Sequence, residues 1–93
     1  MKAVFSSDVF RKALKSSMNE NSNVQFTIVG SMIVINGKEI VMGELSSGLS
    51  LPEYNYSSFA MNLLIDVLSR IPEQPVSITF HESYLELSNV TFS

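Results

Sequence analysis

The chain has 93 residues, too few for two ordinary domains, and 45% of them are hydrophobic, so we expect one core in a single domain, residues 1–93. Charged residues make up only 16% and the net charge is −3, which opposes binding to phosphates and to membrane surfaces unless the few cations share one face. The absence of cysteine excludes disulfides and thiolate metal sites, and no apolar run approaches the roughly 18 residues of a membrane-spanning helix. We therefore expect a cytoplasmic protein with no membrane partner.

The first half of the sequence predicts a strand followed by a helix. Ala3–Phe5 is a short apolar run, and the residues Ser6, Ser7 and Asp8 suit a helix start, where free backbone amides need acceptors. Residues at helical spacing then predict one apolar face: Val9, Phe10, Ala13, Leu14 and Met18. The polar stretch 19–23 ends this helix, because asparagine and serine side chains compete for backbone hydrogen bonds.

Three strands are predicted to follow in the first half. Apolar residues alternate with polar ones from Val24 to Ile28, and a turn at Gly30 leads into a second strand over Met32–Ile35. The pair Asn36-Gly37 favours the left-handed backbone of a type I′ hairpin turn and predicts a return strand over 38–42. The serine-rich stretch 46–52 is predicted to form a loop between the two halves.

The second half predicts the same succession of elements. A strand over Glu53–Tyr56 precedes Ser57 and Ser58 as helix caps, and Pro72 should end the helix at about Ile71. The predicted inward face of this helix consists of Phe59, Ala60, Leu63, Leu64, Val67 and Leu68. The strands predicted after it are 76–80, 84–87 and 90–92, with turns at His81-Glu82 and Ser88-Asn89.

Aligning the sequences of the two halves indicates an internal repeat. The helical cores match at an offset of 50 residues, as Leu14 with Leu64, and the hairpins match at an offset of 52, as Val24 with Val76. The alternative is that two amphipathic segments match by chance. The repeat predicts an α+β fold built from a duplicated β-α-β-β-β unit, residues 1–48 and 51–93, with a mostly antiparallel sheet and two helices on one face.

Four segments of the second half resemble the domain pattern of bacterial DNA sliding clamps: Tyr54–Ser58, Leu63–Pro72, Val76–Phe80 and Tyr84–Ser88. The shared pattern is a strand, a helix ending in a proline-bearing loop, a strand of the kind V-x-I-x-F, and a return strand with alternating leucines. The resemblance implies a non-catalytic processivity factor whose domains join through edge strands and whose helices face duplex DNA. It covers about 40 residues and extends to the first half through the repeat.

Two candidate contact regions follow from the residues. Arg11, Lys12 and Lys15 lie close together on the first predicted helix, which suits sequence-independent contacts with the DNA backbone; the alternative is an ordinary solvated helix face. The last predicted strand, Val90, Thr91 and Phe92, is a candidate oligomer edge, because an unpaired edge invites strand addition from another chain.

The residues give no pattern for catalysis. A catalytic serine needs a base such as histidine beside it, and His81 is the only histidine, so at most one site of this kind could exist. A single histidine without cysteine also gives no set of metal ligands. We therefore expect no enzyme, no cofactor and no small-molecule substrate. Two functions stay open: a clamp-like module that associates with itself and acts with DNA replication or repair proteins, or a small inhibitor, immunity or regulatory protein that binds a protein partner without DNA.

Overall fold

A computed structural model describes residues 1–18, 22–45, 52–88 and 90–92 of the chain. Its elements are β1 Lys2–Ser6, α1 Ser7–Ser17, β2 Asn23–Val29, β3 Met32–Ile35, β4 Glu39–Met42, β5 Glu44–Leu45, β6 Glu53–Ser57, α2 Ser58–Ser69, β7 Pro75–Phe80, β8 Leu85–Leu87 and β9 Val90–Phe92. The class is α+β, and a strand, a helix and three strands occur in that order in each half, with the two-residue strand β5 added at the end of the first half. Parts of the predicted loops, residues 19–21 and 46–51, and Asn89 of the predicted turn lie outside the described residues.

The strands form two antiparallel sheets, whereas the sequence led us to expect one. The five-stranded sheet has the order β5-β1-β7-β8-β9 and the four-stranded sheet has the order β4-β3-β2-β6. The first strand of each half therefore pairs with the hairpin of the other half. The expectation of one sheet was wrong because many twisted strands bury their apolar faces better as two packed sheets than as one open sheet.

The helices begin at equivalent positions in the two halves. The Ser6 hydroxyl accepts a hydrogen bond from the Val9 amide at 3.4 Å, and the Ser57 hydroxyl accepts one from the Ala60 amide at 3.1 Å. These caps are 51 residues apart, so the offset of 50 assigned to the helices was one residue short. The second helix ends at Ser69, close to the predicted end.

The Asn36-Gly37 turn has the predicted backbone. Asn36 and Gly37 have φ values of 53° and 67°, and the Lys38 amide donates to the Ile35 carbonyl at 3.0 Å, as in a type I′ turn. The Asn36 side chain also accepts from the Gln25 amide at 2.9 Å and donates to the Ser17 carbonyl at 2.8 Å. The turn is thereby tied to β2 and to the end of α1.

The core lies between the sheets and the two helices, which pack against each other. Phe26 of the four-stranded sheet contacts Phe80 of the five-stranded sheet edge to face, with ring centroids 5.4 Å apart. The Phe10 ring of α1 stacks on Phe5 at 4.9 Å and lies 6.2 Å from Phe26. Both sheets and a helix are joined through these rings.

Candidate functional site at the β9 edge

The last strand, β9, is an edge of the five-stranded sheet. It pairs with β8, in the register Leu87 with Val90 and Leu85 with Phe92, and within the described residues no strand lies on its other side. Phe92 is buried in the core, whereas Val90 is 51% exposed and Thr91 is exposed. Of the three predicted edge residues, two are therefore accessible and one anchors the strand.

Helix α2 presents apolar residues beside this edge. The sequence placed Phe59 and Leu63 on the inward face of the helix, but they are 75% and 47% exposed. The buried face consists of Ala60, Met61, Leu64 and Leu68. That inward assignment was wrong, because the apolar arc of α2 is wider than the core and leaves a second stripe at Phe59, Leu63 and Val67, each four residues apart.

A groove of about 370 Å³ lies between this stripe and the edge strand. Its lining residues are Phe59, Ala60, Leu63, Asp66, Val67, Val90, Thr91 and Phe92. The one carboxylate among them, Asp66, pairs at 3.0 Å with Arg70, the residue that follows α2, so its charge is partly compensated. The groove is thus a mainly apolar surface beside β9, whose outer side pairs with no strand in the part of the chain that the structure describes.

A second depression, of about 500 Å³, shares Val67 and Val90 with the groove and continues it towards the end of α2. It includes Ser77, whose hydroxyl oxygen is buried and has no hydrogen-bond partner. The second depression is lined mainly by apolar residues, with Gln74 and Ser88 as polar ones beside Ser77.

The predicted DNA-contacting cations all lie on α1. Arg11 is half-buried and its guanidinium lies 3.8 Å from the Asp8 carboxylate, while Lys12 and Lys15 are exposed. An arginine beside a carboxylate attracts a phosphate less strongly than an arginine without a carboxylate neighbour. The accessible cations of α1 are therefore the two lysines, and α2 adds the Asp66–Arg70 pair, which has no net charge.

The single histidine has structural contacts. The His81 ring stacks on Tyr84, with centroids 4.2 Å apart, and its Nε2 lies 3.0 Å from a Glu86 carboxylate oxygen. The His81 carbonyl accepts a hydrogen bond from the buried Tyr56 hydroxyl at 2.8 Å. These contacts hold the β7–β8 loop against β6 of the other sheet.

The described residues contain no group of three or more metal-ligating side chains. Neither helix in the described part of the chain has the length and the apolar character needed to cross a bilayer.

Comparisons with models of protein families, with curated proteins and with solved structures found no match to the chain.

Proposed function

We propose that the chain is a non-catalytic, clamp-like binding module that associates with itself through the β9 edge and acts with DNA replication or repair proteins. The observation that carries this proposal is the unpaired β9 edge beside the exposed Phe59 and Leu63. The backbone of an edge strand binds another strand, and adjacent apolar groups stabilise the added segment.

The pairing of the halves supports a duplicated clamp-like unit. Phe5 of β1 lies opposite Val76 of β7, and Tyr56 of β6 lies opposite Val24 of β2. The two pairs correspond under offsets of 51 residues for the first strands and 52 for the hairpins. Each unit thus pairs its first strand with the hairpin of the other unit, in matching registers. This favours a pseudo-twofold duplication over a chance likeness between the two halves.

A strand added at β9 would gain both backbone and side-chain contacts. Its amides and carbonyls would face the unpaired side of Val90–Phe92, and alternate side chains would lie in the groove against Leu63 and Val67. Other copies of the chain are present wherever the protein is, so a strand of the required kind is always available, which favours self-association. DNA contacts, if made, would come from Lys12 and Lys15.

The experiment is a comparison of solution masses by light scattering. Val90→Lys puts a charge on the proposed seam and should lower the mass, whereas Ser16→Lys puts the same charge at an exposed position of α1 and should leave it unchanged. Equal masses for wild type and Val90→Lys would contradict the seam. Equal losses from both lysine variants would contradict its location.

One observation favours the second function, a regulatory protein that binds a protein partner without DNA. The outer stripe of α2 is apolar at Phe59 and Leu63, and apolar groups do not contact phosphates. In that case duplex DNA should not bind even at low salt. For a DNA-contacting module the affinity should instead fall steeply with salt and weaken in the Lys12→Glu, Lys15→Glu double variant, as expected when bound cations are released.

A further inference from the structure

The outer face of the four-stranded sheet carries a contiguous apolar patch on β2, β3 and β4. Strand register aligns Val29 with Met32 and Met32 with Met42 in one row, and Val34 with Ile40 in the next. Val29, Ile40 and Met42 are 48%, 60% and 68% exposed. We call these five residues the sheet patch; its strands turn Ile33, Ile35 and Val41 to the core on the opposite face.

One row on the equivalent face of the five-stranded sheet is polar. It runs through Lys2, Thr79, Glu86 and Thr91, which the strand registers align across β1, β7, β8 and β9. Glu86 there occupies the position of Val34, and Thr91 that of Ile40. Since the second half carries polar groups at these two positions, the fold does not require apolar residues at Val34 and Ile40.

The shape and charge of the sheet patch restrict what can cover it. Its residues come from three neighbouring strands of one sheet, and such a broad surface suits another sheet face better than a small ligand, which binds in a concave site. None of the five side chains is charged, which excludes phosphate as the group recognised. A flat apolar sheet face packs well against a second such face, at a separation of about 10 Å.

The charges on either side of β4 are self-complementary. Exposed Lys38 precedes the strand, and exposed Glu44, the first residue of β5, follows it after Gly43 and pairs with Val4 of the five-stranded sheet. When two copies stack face to face with their β4 strands antiparallel, Lys38 of each copy lies at the end occupied by Glu44 of the other. The same arrangement puts Ile40 of one copy over Met42 of the second, and the polar Gln25 and Asn55 side chains remain at the rim, as in other protein interfaces.

We propose that the sheet patch is an interface with a second copy of this chain, formed by antiparallel stacking of the two patches about a twofold axis. This interface is separate from the β9 edge and does not depend on it. Because a symmetric interface uses the same patch twice, each substitution in it acts twice.

The test uses the Val90→Lys protein, in which the β9 seam is blocked, and light scattering over a range of concentrations. The expected mass is twice 10.3 kDa. Adding Ile40→Thr, the residue type of the equivalent position in the other half, should raise the dissociation constant about a hundredfold, because buried methylene contacts are lost in both copies. Val9→Thr, which alters an exposed valine of α1 outside the patch, should leave it unchanged.

The charges test the antiparallel arrangement. Lys38→Glu and Glu44→Lys should each weaken the dimer, and the two together should restore it. Far-ultraviolet circular dichroism checks that each variant is folded. A monomer at the highest attainable concentration of the Val90→Lys protein would overturn the proposal, as would a dimer unaffected by Ile40→Thr. Failure of the double charge variant to restore the dimer would overturn the antiparallel stacking.

Discussion

The backbone amide of Ser7 donates to the carbonyl oxygen of Gln74 at 2.9 Å, and the amide of Gln74 donates to the Ser7 hydroxyl at 3.0 Å. The first helix is thereby joined to the segment that enters the hairpin of the second half. The counterpart in the other half is a bond from the Ser58 amide to the Ser22 carbonyl, at 2.8 Å. The start of each helix thus depends on the opposite half.

Ser7→Ala should lower the free energy of unfolding by about 1–2 kcal/mol, because a buried hydroxyl that accepts a hydrogen bond is removed. Urea denaturation followed by circular dichroism measures the change. Ser16→Ala, at an exposed position of the same helix, is the matched control and should have little effect. Similar losses for the two variants would show that the Gln74 contact does not stabilise the fold.

The Asn36 side chain should contribute more to the stability of the fold than its place in the turn alone requires. Asn36→Gly keeps the left-handed backbone but removes the bonds to Gln25 and Ser17, so we expect a loss of about 2 kcal/mol. Asn55→Ala, at an exposed position of β6, is the control. Urea midpoints that agree between Asn36→Gly and wild type would contradict the role of the side chain.

The turn also illustrates how far the sequence could be interpreted. Asn36-Gly37 has a strong local preference, so its backbone was predictable, whereas the bond from Asn36 to Ser17 depends on where α1 ends in space. Likewise, the apolar spacing of α2 predicted a helix but not its buried face, because Phe59 and Ala60 are equally apolar by pattern. The division into two sheets depends on long-range pairing, which no local pattern encodes.

Gly43 lies between β4 and β5, where the chain passes from one sheet to the other. A β-carbon there would approach the Phe5 ring to 2.5 Å and the Val4 carbonyl oxygen to 2.7 Å. Gly43→Ala should therefore cost about 1–3 kcal/mol through overpacking. Phe5→Leu, which replaces the ring, should reduce the cost of Gly43→Ala in a double-mutant cycle; additive losses would argue against this contact.

Stability should fall at alkaline pH because of Tyr56. Burial, with Tyr54 as a smaller cause, raises the pKa of the Tyr56 phenol above its ordinary value of 10.0. The unfolded chain therefore loses this proton near pH 10, while the folded protein retains it to higher pH. The resulting stabilisation is complete below pH 10 and is lost as the pH rises above it.

The free energy of unfolding of the wild type should thus decrease more steeply above pH 10 than that of Tyr56→Phe. Urea denaturation of both proteins at a series of pH values gives the two slopes. Tyr56→Phe also loses the bond to the His81 carbonyl, which lowers its stability at every pH and leaves the slope as the diagnostic quantity. Parallel curves would contradict a raised pKa.

The central claim, that this domain works as a self-associating binding module, is tested most directly by the solution mass of the wild-type chain. Light scattering across a concentration series should give a mass that is a multiple of 10.3 kDa and decreases on dilution. A mass of one chain at every concentration would contradict the claim.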